Sequence, residues 1–174
     1  MARAGTKRIA VSSNAETRHQ DFWRTACRGV PDLPAAADYQ VWHFGDSGRL
    51  ARELAELVLH GRKRATAGLL WEAEADPSMM PILGGYSLVT DHAGAPLLVI
   101  QTTQVDMRPY EAVDADFAAA EGEGDCSLDY WRAAHWDYFS RRCAVLGRTP
   151  SPDMPVVLER FALIYPTAAR RAAS

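Results

Sequence analysis

Apolar residues repeat every three or four positions in two early segments of the chain. In residues 46–61 this spacing places leucines on one face and predicts a helix. Asp46 or Ser47 can cap the first turn, and Gly61 can end the helix because glycine readily adopts the backbone conformation found there. Residues 17–30 show the same spacing and predict an earlier helix, which ends before two prolines.

Extended chain is predicted after the second helix and again near the end of the sequence. Residues 65–74 form a short apolar run that predicts a strand. Residues 84–91 and 96–106 are strand-like runs joined by His-Ala-Gly-Ala, which predicts a hairpin. Residues 154–166 predict a last strand.

Two more helices are predicted between the hairpin and the last strand. One extends from about Pro109 to Ala120 and leads into the glycine-spaced acidic turn Glu-Gly-Glu-Gly-Asp at 121–125. Ser127 can cap the next helix. The inward stripe of that helix comprises Leu128, Trp131, His135, Tyr138 and Phe139, and we expect His135 to be a hydrogen-bonded core residue. Trp136 falls off this stripe, which makes it a candidate for a cleft or a partner surface.

The order of these elements predicts an α+β fold, with a small curled antiparallel sheet flanked by helices. A length of 174 residues fits one domain with a sizeable core. We expect this domain to span residues 19–166. The Ala/Arg-rich ends, residues 1–18 and 167–174, are expected to be flexible tails.

Composition excludes several classes of protein. No run of about 18 uncharged apolar residues exists, and the first residues lack the apolar centre of a secretory signal, so we expect a cytoplasmic protein that does not enter a membrane. Cys27, Cys126 and Cys143 are too widely spaced for a disulfide framework or a zinc site, and the histidines are scattered. We therefore expect free thiols and neither a metal nor a cofactor.

The net charge of −3 conceals an acidic body. Five basic residues lie within residues 1–8 and 166–174, so residues 9–165 carry 14 of the 19 basic groups against all 22 acidic groups. A surface this acidic is a poor general phosphate binder. Nucleic acid would therefore have to bind at a local basic site, and the interior segment Gly-Arg-Lys-Arg at 61–64 is the best candidate.

This segment lies where the predicted helix ends and the predicted strand begins, so its side chains extend from a rigid corner. In extended chain Arg62, Arg64 and Thr66 would share one side, with Lys63 on the other. A simpler interpretation is that the cations complement the helix dipole, which contributes about 0.3–1 kcal/mol each.

The order of the motifs resembles the ASCH domain family over most of the chain, from about Phe22 to Pro166. The resemblance rests on six segments that occur in this order: WHFGDS, LAELVLHGRKRATAGLLWE, GGYSLVTD, VIQTTQVD, FAAAEGEGDCSLDYWRAAHWDYF and LERFALIYP. It implies a small β-barrel akin to the RNA-binding PUA domain. The family includes proteins inferred to bind RNA, a kind that looks like a ribonuclease, and a bacterial amidohydrolase that removes acyl groups from the exocyclic amine of cytidine.

The resemblance to that amidohydrolase implies a catalytic set of Lys63, Thr66 and Glu123. A neutral lysine can take the proton of a threonine hydroxyl, which then attacks an amide carbonyl. Glu123 would hold the lysine or protonate the leaving amine. The sequence leaves open whether Lys63 is neutral, because burial and neighbouring arginines favour the neutral form whereas a carboxylate and the helix end favour the charged form.

These observations predict that a nucleoside or RNA base lies in a cleft between residues 61–66 and 121–127. The protein would act there as an amidohydrolase on an amide of the base, or as a ribonuclease that cleaves RNA. The alternative is a non-catalytic RNA-binding module in which Arg62, Lys63 and Arg64 contact phosphates and an aromatic residue such as Trp136 stacks on a base.

Overall fold

The computed structural model describes residues 13–167. In this part of the chain five strands form one sheet, and five helices flank it. The helices are α1 (Ser13–Gly29), α2 (Gly48–Leu59), α3 (Leu70–Ala75), α4 (Ala115–Glu121) and α5 (Leu128–Val145). The strands are β1 (Tyr39–Trp42), β2 (Ala65–Leu69), β3 (Tyr86–Thr90), β4 (Pro96–Pro109) and β5 (Pro155–Tyr165). Short 3₁₀ turns cover Pro77–Met79 and Tyr110–Ala112.

The sheet has the order β1-β3-β4-β5-β2. Strand β1 pairs in parallel with β3, and the other neighbours pair antiparallel. The predicted α+β fold and the β3–β4 hairpin are confirmed. The implied barrel is not closed, because β1 and β2 form the two edges of the sheet instead of pairing with each other.

Both faces of the sheet are covered, since alternate residues of its strands enter different clusters. On one face α4 and α5 pack on the sheet, in a cluster that includes Ala65, Ala67, Phe117, Trp131, Phe139 and Leu158. On the other face α2 and the segment before it pack on the sheet, in a cluster that includes Phe44, Leu54, Val58, Ile100 and Phe161. A third cluster places α1 against the sheet through Trp23, Val99 and Tyr165.

Three local predictions are corrected. Helix α1 begins at Ser13, so residues 13–18 of the predicted tail are helical, and His19 anchors the helix through a 2.8 Å contact with the Gly94 carbonyl. The strand predicted over 65–74 ends at Leu69, where good helix formers start α3. The helix predicted over 109–120 is a 3₁₀ turn followed by α4, because Asp114 caps a new helix start. The outer parts of both predicted tails lie outside the described residues.

Among the described residues, no helix combines the length and the apolar character needed to cross a membrane.

Backbone hydrogen bonds fix the corner between α2 and β2. The amides of Arg62 and Lys63 donate to the Leu57 carbonyl, at 2.9 and 3.0 Å, and close the end of α2. The Arg64 amide donates to the Ala120 carbonyl at 2.8 Å. The corner is therefore hydrogen-bonded directly to the last turn of α4, and the acidic turn follows at once along the chain.

Gly122 lies where the acidic turn crosses the corner. Its φ is +69°, and a Cβ atom there would come within 2.3 Å of the Arg62 carbonyl oxygen. Gly61 has a similar φ of +74° but has open space around it. Substitution of Gly61 by alanine therefore measures the cost of a left-handed backbone alone. The same substitution at Gly122 adds the cost of a steric clash.

We expect Gly122→Ala to lower the free energy of unfolding by about 3 kcal/mol, because the left-handed conformation and the displaced carbonyl both contribute. Gly61→Ala is the matched control and is expected to lower it by about 1 kcal/mol. Urea denaturation of both variants measures the difference. Equal losses would show that the contact between the acidic turn and the corner is loose.

Candidate functional site

The side chain of Lys63 is fully buried beneath the acidic turn. Its Nζ lies 2.7 Å from Oε2 of Glu121 and 2.6 Å from Oε1 of Glu123. The ring of Phe44 approaches the ammonium from another direction, with 5.4 Å between Nζ and the ring centroid. The structure thus brings Lys63 together with Glu123, as the sequence predicted, and adds Glu121 as a second carboxylate.

The two carboxylates decide the charge of Lys63. Burial lowers the pKa of the lysine, but the charges and hydrogen bonds of Glu121 and Glu123 outweigh burial, so the pKa rises above its ordinary value of 10.5. Lys63 is therefore an ammonium at neutral pH. An ammonium has no lone pair with which to take a proton, so Lys63 in this state is not the base that activates Thr66.

Glu121 connects the corner to helix α5. Its Oε1 accepts a 2.9 Å hydrogen bond from Nε1 of Trp131 and lies 3.3 Å from Nε2 of His135. Burial raises the pKa of Glu121, but the nearby Lys63 and His135 lower it by more than burial raises it. The pKa of Glu121 therefore lies well below the ordinary value of 4.5. This carboxylate therefore stays ionised in the folded protein.

His135 is the hydrogen-bonded core histidine that the sequence predicted. Its Nδ1 lies 2.9 Å from the Trp131 carbonyl oxygen, so Nδ1 carries a proton and donates. That arrangement leaves Nε2 to face Glu121. Glu121 was not predicted as a site residue, although it ends the Ala-Ala-Ala-Glu run of α4, which lies beside the corner.

Thr66 lies in β2 and is buried, with about 1% of its surface exposed. Its Oγ1 has no hydrogen-bond partner among residues 13–167. In the sheet register Thr66 stands opposite Glu159 of β5. Because Ala65 and Ala67 face α4 and α5, Thr66 faces the opposite side of the sheet, toward the cluster that contains Phe161.

The arginines that flank Lys63 are exposed. Nη2 of Arg62 lies 3.8 Å from Sγ of Cys126, and within the described part of the chain neither Arg62 nor Arg64 forms an ion pair with an acid. The extended-chain prediction grouped Thr66 with these arginines. Thr66 differs from the two arginines in exposure, because the sheet is covered on both faces and Thr66 is enclosed there.

Trp136 is exposed on α5, with 37% of its surface accessible to solvent. Its ring packs against Tyr110 at a centroid distance of 5.4 Å. This position agrees with its place beside the inward stripe. A role of Trp136 in base stacking stays a prediction.

The corner and the acidic turn are closed on each other, in contrast to the predicted cleft. Lys63 and Thr66 are almost completely buried, and Glu123 has about 6% of its surface exposed. Two surface clefts lie elsewhere. One of about 400 Å³ is lined mainly by β4, β5 and α4 residues, and one of about 600 Å³ is lined by the start of α2 and the β3–β4 turn. Residues 13–167 contain no group of three or more His, Cys, Asp or Glu side chains arranged to hold a metal ion.

The fold is that of an ASCH domain, and comparison with known proteins shows the family. The ASCH domain family model matches residues 40–165, so the chain belongs to the ASCH domain family. An ASCH domain from Lactobacillus crispatus JV V101, known from a crystal structure, has 32% sequence identity to this chain. Its TM-score is 0.75, and the match covers 91% of this chain and 98% of that one.

Protein EF3133 from Enterococcus faecalis V583 is 29% identical to this chain, with a TM-score of 0.75 over 91% of this chain and 94% of that one. No curated protein sequence matches the chain. The family and the fold are therefore established together, while an activity has to be argued from the site.

We expect Glu121→Gln to lower the free energy of unfolding at pH 7 by about 3–5 kcal/mol, because it removes one partner of a buried ion pair. The substitution should also change how the free energy of unfolding depends on pH. In the wild type the unfolded state gains a proton on Glu121 as the pH falls below about 4.5 and the folded state does not, so stability falls by up to about 1.4 kcal/mol per pH unit.

Glu121→Gln removes this contribution and should flatten the acid side of the stability curve. Glu53→Gln is the control, because Glu53 forms an exposed pair with Arg49 that is worth at most about 1 kcal/mol. Urea denaturation between pH 3 and pH 7 measures both effects. An unchanged slope in Glu121→Gln would contradict the lowered pKa of Glu121.

Proposed function

We propose that this ASCH domain protein binds the base of a nucleoside or of RNA at the corner of Lys63, Thr66 and Glu123, and hydrolyses an amide on the exocyclic amine of that base. The observation that carries the proposal is the buried ammonium of Lys63, held by two carboxylates, three residues before a buried threonine hydroxyl that has no hydrogen-bond partner among residues 13–167.

Energetics support a functional interpretation of the buried charges. Removing an ammonium and two carboxylates from water costs several kcal/mol for each ion, and their attraction repays this only in part. Apolar residues of the same volume would stabilise the core at least as well. Charges kept in such a place are therefore candidates for a site whose task requires them.

The charge of Lys63 determines its role in the proposed reaction. When a hydroxyl attacks an amide carbonyl, negative charge develops on the carbonyl oxygen, and a fixed ammonium in a dry site stabilises that charge strongly. Lys63 would serve as this stabiliser. Thr66 would supply the attacking oxygen, and Glu123 would hold the ammonium in place.

Substrate has to displace part of the cover to reach Thr66. The acidic turn is the segment best suited to move, because Gly124 and Asp125 are exposed and Glu123 retains some contact with solvent. Opening of this turn would expose the corner to solvent while α4 and the contact between Glu121 and Lys63 stay in place. Binding and catalysis would then share one local rearrangement.

A non-catalytic RNA-binding module is the second candidate. It is favoured by the exposed arginines Arg62 and Arg64, whose positive charges are not compensated by an acid within the described residues. In this alternative Lys63 only holds the corner rigid, and the two arginines contact phosphates.

Hydrolysis is tested with acylated cytidines and a structured RNA offered in parallel to wild type and Thr66→Val. We expect release of cytidine by the wild type and a loss of at least about 1000-fold in Thr66→Val, because the nucleophile is gone while the side-chain volume is kept. Ser87→Ala is the matched control, since Ser87 Oγ is also buried without a partner among the described residues. Equal activity of wild type and Thr66→Val would refute the proposed role of Thr66.

RNA binding is tested by titrating a labelled structured RNA at several salt concentrations. If Arg62 and Arg64 contact phosphates, the variant with both changed to alanine should reduce the dependence of log K on log salt by about 0.7 for each lost contact. Arg49→Ala is the control, because Arg49 is exposed but paired with Glu53. Retention of RNA without released cytidine would favour the binding module, whereas RNA fragments would indicate a ribonuclease.

A further inference from the structure

We propose that Glu159 is the general base that takes the proton of Thr66. This inference rests on the proposed function and assigns the one chemical role that Lys63 leaves vacant. Glu159 lies outside the acidic turn, on the last strand of the chain, and was not among the residues that the sequence singled out.

The sheet register places Glu159 beside Thr66. Strands β2 and β5 are antiparallel, and Thr66 and Glu159 are directly opposite each other. Directly opposed residues on one face have their Cβ atoms about 4.5–5.5 Å apart. At that separation a glutamate carboxylate can reach a threonine hydroxyl through a direct hydrogen bond.

The position of the Glu159 carboxylate is fixed by a third strand. Oγ1 of Thr102, on β4, donates a 2.6 Å hydrogen bond to Oε1 of Glu159. All three residues are buried, and Glu159 has about 1% of its surface exposed. The carboxylate is therefore held on the same face of the sheet as the Thr66 hydroxyl, which has no hydrogen-bond partner among residues 13–167.

The other candidate bases are engaged elsewhere. Lys63 is an ammonium, and Oε1 of Glu123 and Oε2 of Glu121 both accept hydrogen bonds from it. Glu159 is the carboxylate that the sheet register places opposite Thr66, so geometry favours it as the group that deprotonates Thr66.

In the proposed reaction Thr66 is first acylated by the amide and is then freed by water. The Glu159 carboxylate takes the proton from Thr66 Oγ1 while Oγ1 forms a bond to the amide carbon. The Lys63 ammonium stabilises the negative charge that develops on the carbonyl oxygen. The carbon–nitrogen bond then breaks, and the leaving amine takes the proton back from Glu159. Water next attacks the threonine ester with the same carboxylate as base, which releases the carboxylic acid and restores Thr66.

The test uses Glu159→Gln in the full chain, because glutamine keeps the shape and still accepts a hydrogen bond from Thr102. We expect the kcat for acylcytidine hydrolysis to fall about 100-fold to 10,000-fold, with little change in KM. Glu72→Gln is the control, a buried glutamate that pairs with Arg142. Glu159→Gln with more than a third of wild-type kcat would overturn the inference and leave the proposed hydrolysis standing.

A second variant separates a base from a merely structural residue. Glu159→Ala should be inactive but regain part of its activity in sodium formate, because formate supplies the missing carboxylate, and it should not regain activity in sodium chloride of equal ionic strength. Absence of rescue in a folded Glu159→Ala, judged by an unchanged circular dichroism spectrum, would count against the assignment.

A wild type that hydrolyses no acylcytidine would refute the proposed function, and the role of Glu159 would then be decided by a simpler reagent. 4-Nitrophenyl acetate is incubated with wild type and Glu159→Gln, and acetylation of Thr66 is measured by peptide mass spectrometry. Acetylation in the wild type that is lost in Glu159→Gln supports the inference. Acetylation that is equal in both, or absent from both, overturns it.

Discussion

The buried ammonium of Lys63 is the interaction on which the arrangement of this protein depends. An ammonium removed from water is stable only with negative charge at contact distance. Both of its carboxylates, Glu121 and Glu123, come from a segment about 60 residues further along the chain. The end of α2, the end of α4 and the acidic turn are therefore fixed relative to one another, and the backbone bond from Arg64 to Ala120 reinforces this geometry.

Glu121 extends the same constraint into the core. One oxygen binds Lys63 and the other accepts from Trp131, whose ring stacks on His135 at a centroid distance of 4.1 Å. Rotation of α5 would break these contacts and leave a charged group buried without its partners. The charged corner and the aromatic face of α5 are thus one cooperative unit, which sets the position of β2 as well.

Local patterns in the sequence were sufficient to predict most helices and strands, but not how the strands pair or which side chains are buried. Helix α2, the β3–β4 hairpin and β5 follow from periodicity and turn residues, and the approach of Lys63 to Glu123 followed from the order of motifs. The open sheet and its register depend on contacts between distant strands, which no local pattern encodes. The short strand β1 gave too weak a signal between loops to be predicted.

The same limit explains why Glu159 and the burial of Thr66 were missed. Alternation along a strand indicates which residues share a face, but it indicates exposure only where one face is solvated. Here both faces are covered, so a threonine beside two exposed arginines lies in the interior. Glu159 lies in an apolar strand and resembles a solvent-facing residue until the pairing with β2 is known.

The positions of the buried acids suggest a division of labour around Thr66. Glu121 and Glu123 bind the ammonium and keep it charged, whereas Glu159 accepts a hydrogen bond from the hydroxyl of Thr102 on the sheet. One lysine cannot be a permanent cation and a proton acceptor at once, so a site with both functions needs carboxylates of both kinds. A corner that only stabilised the fold would need the first kind alone, whereas the proposed activation of the Thr66 hydroxyl requires the second kind.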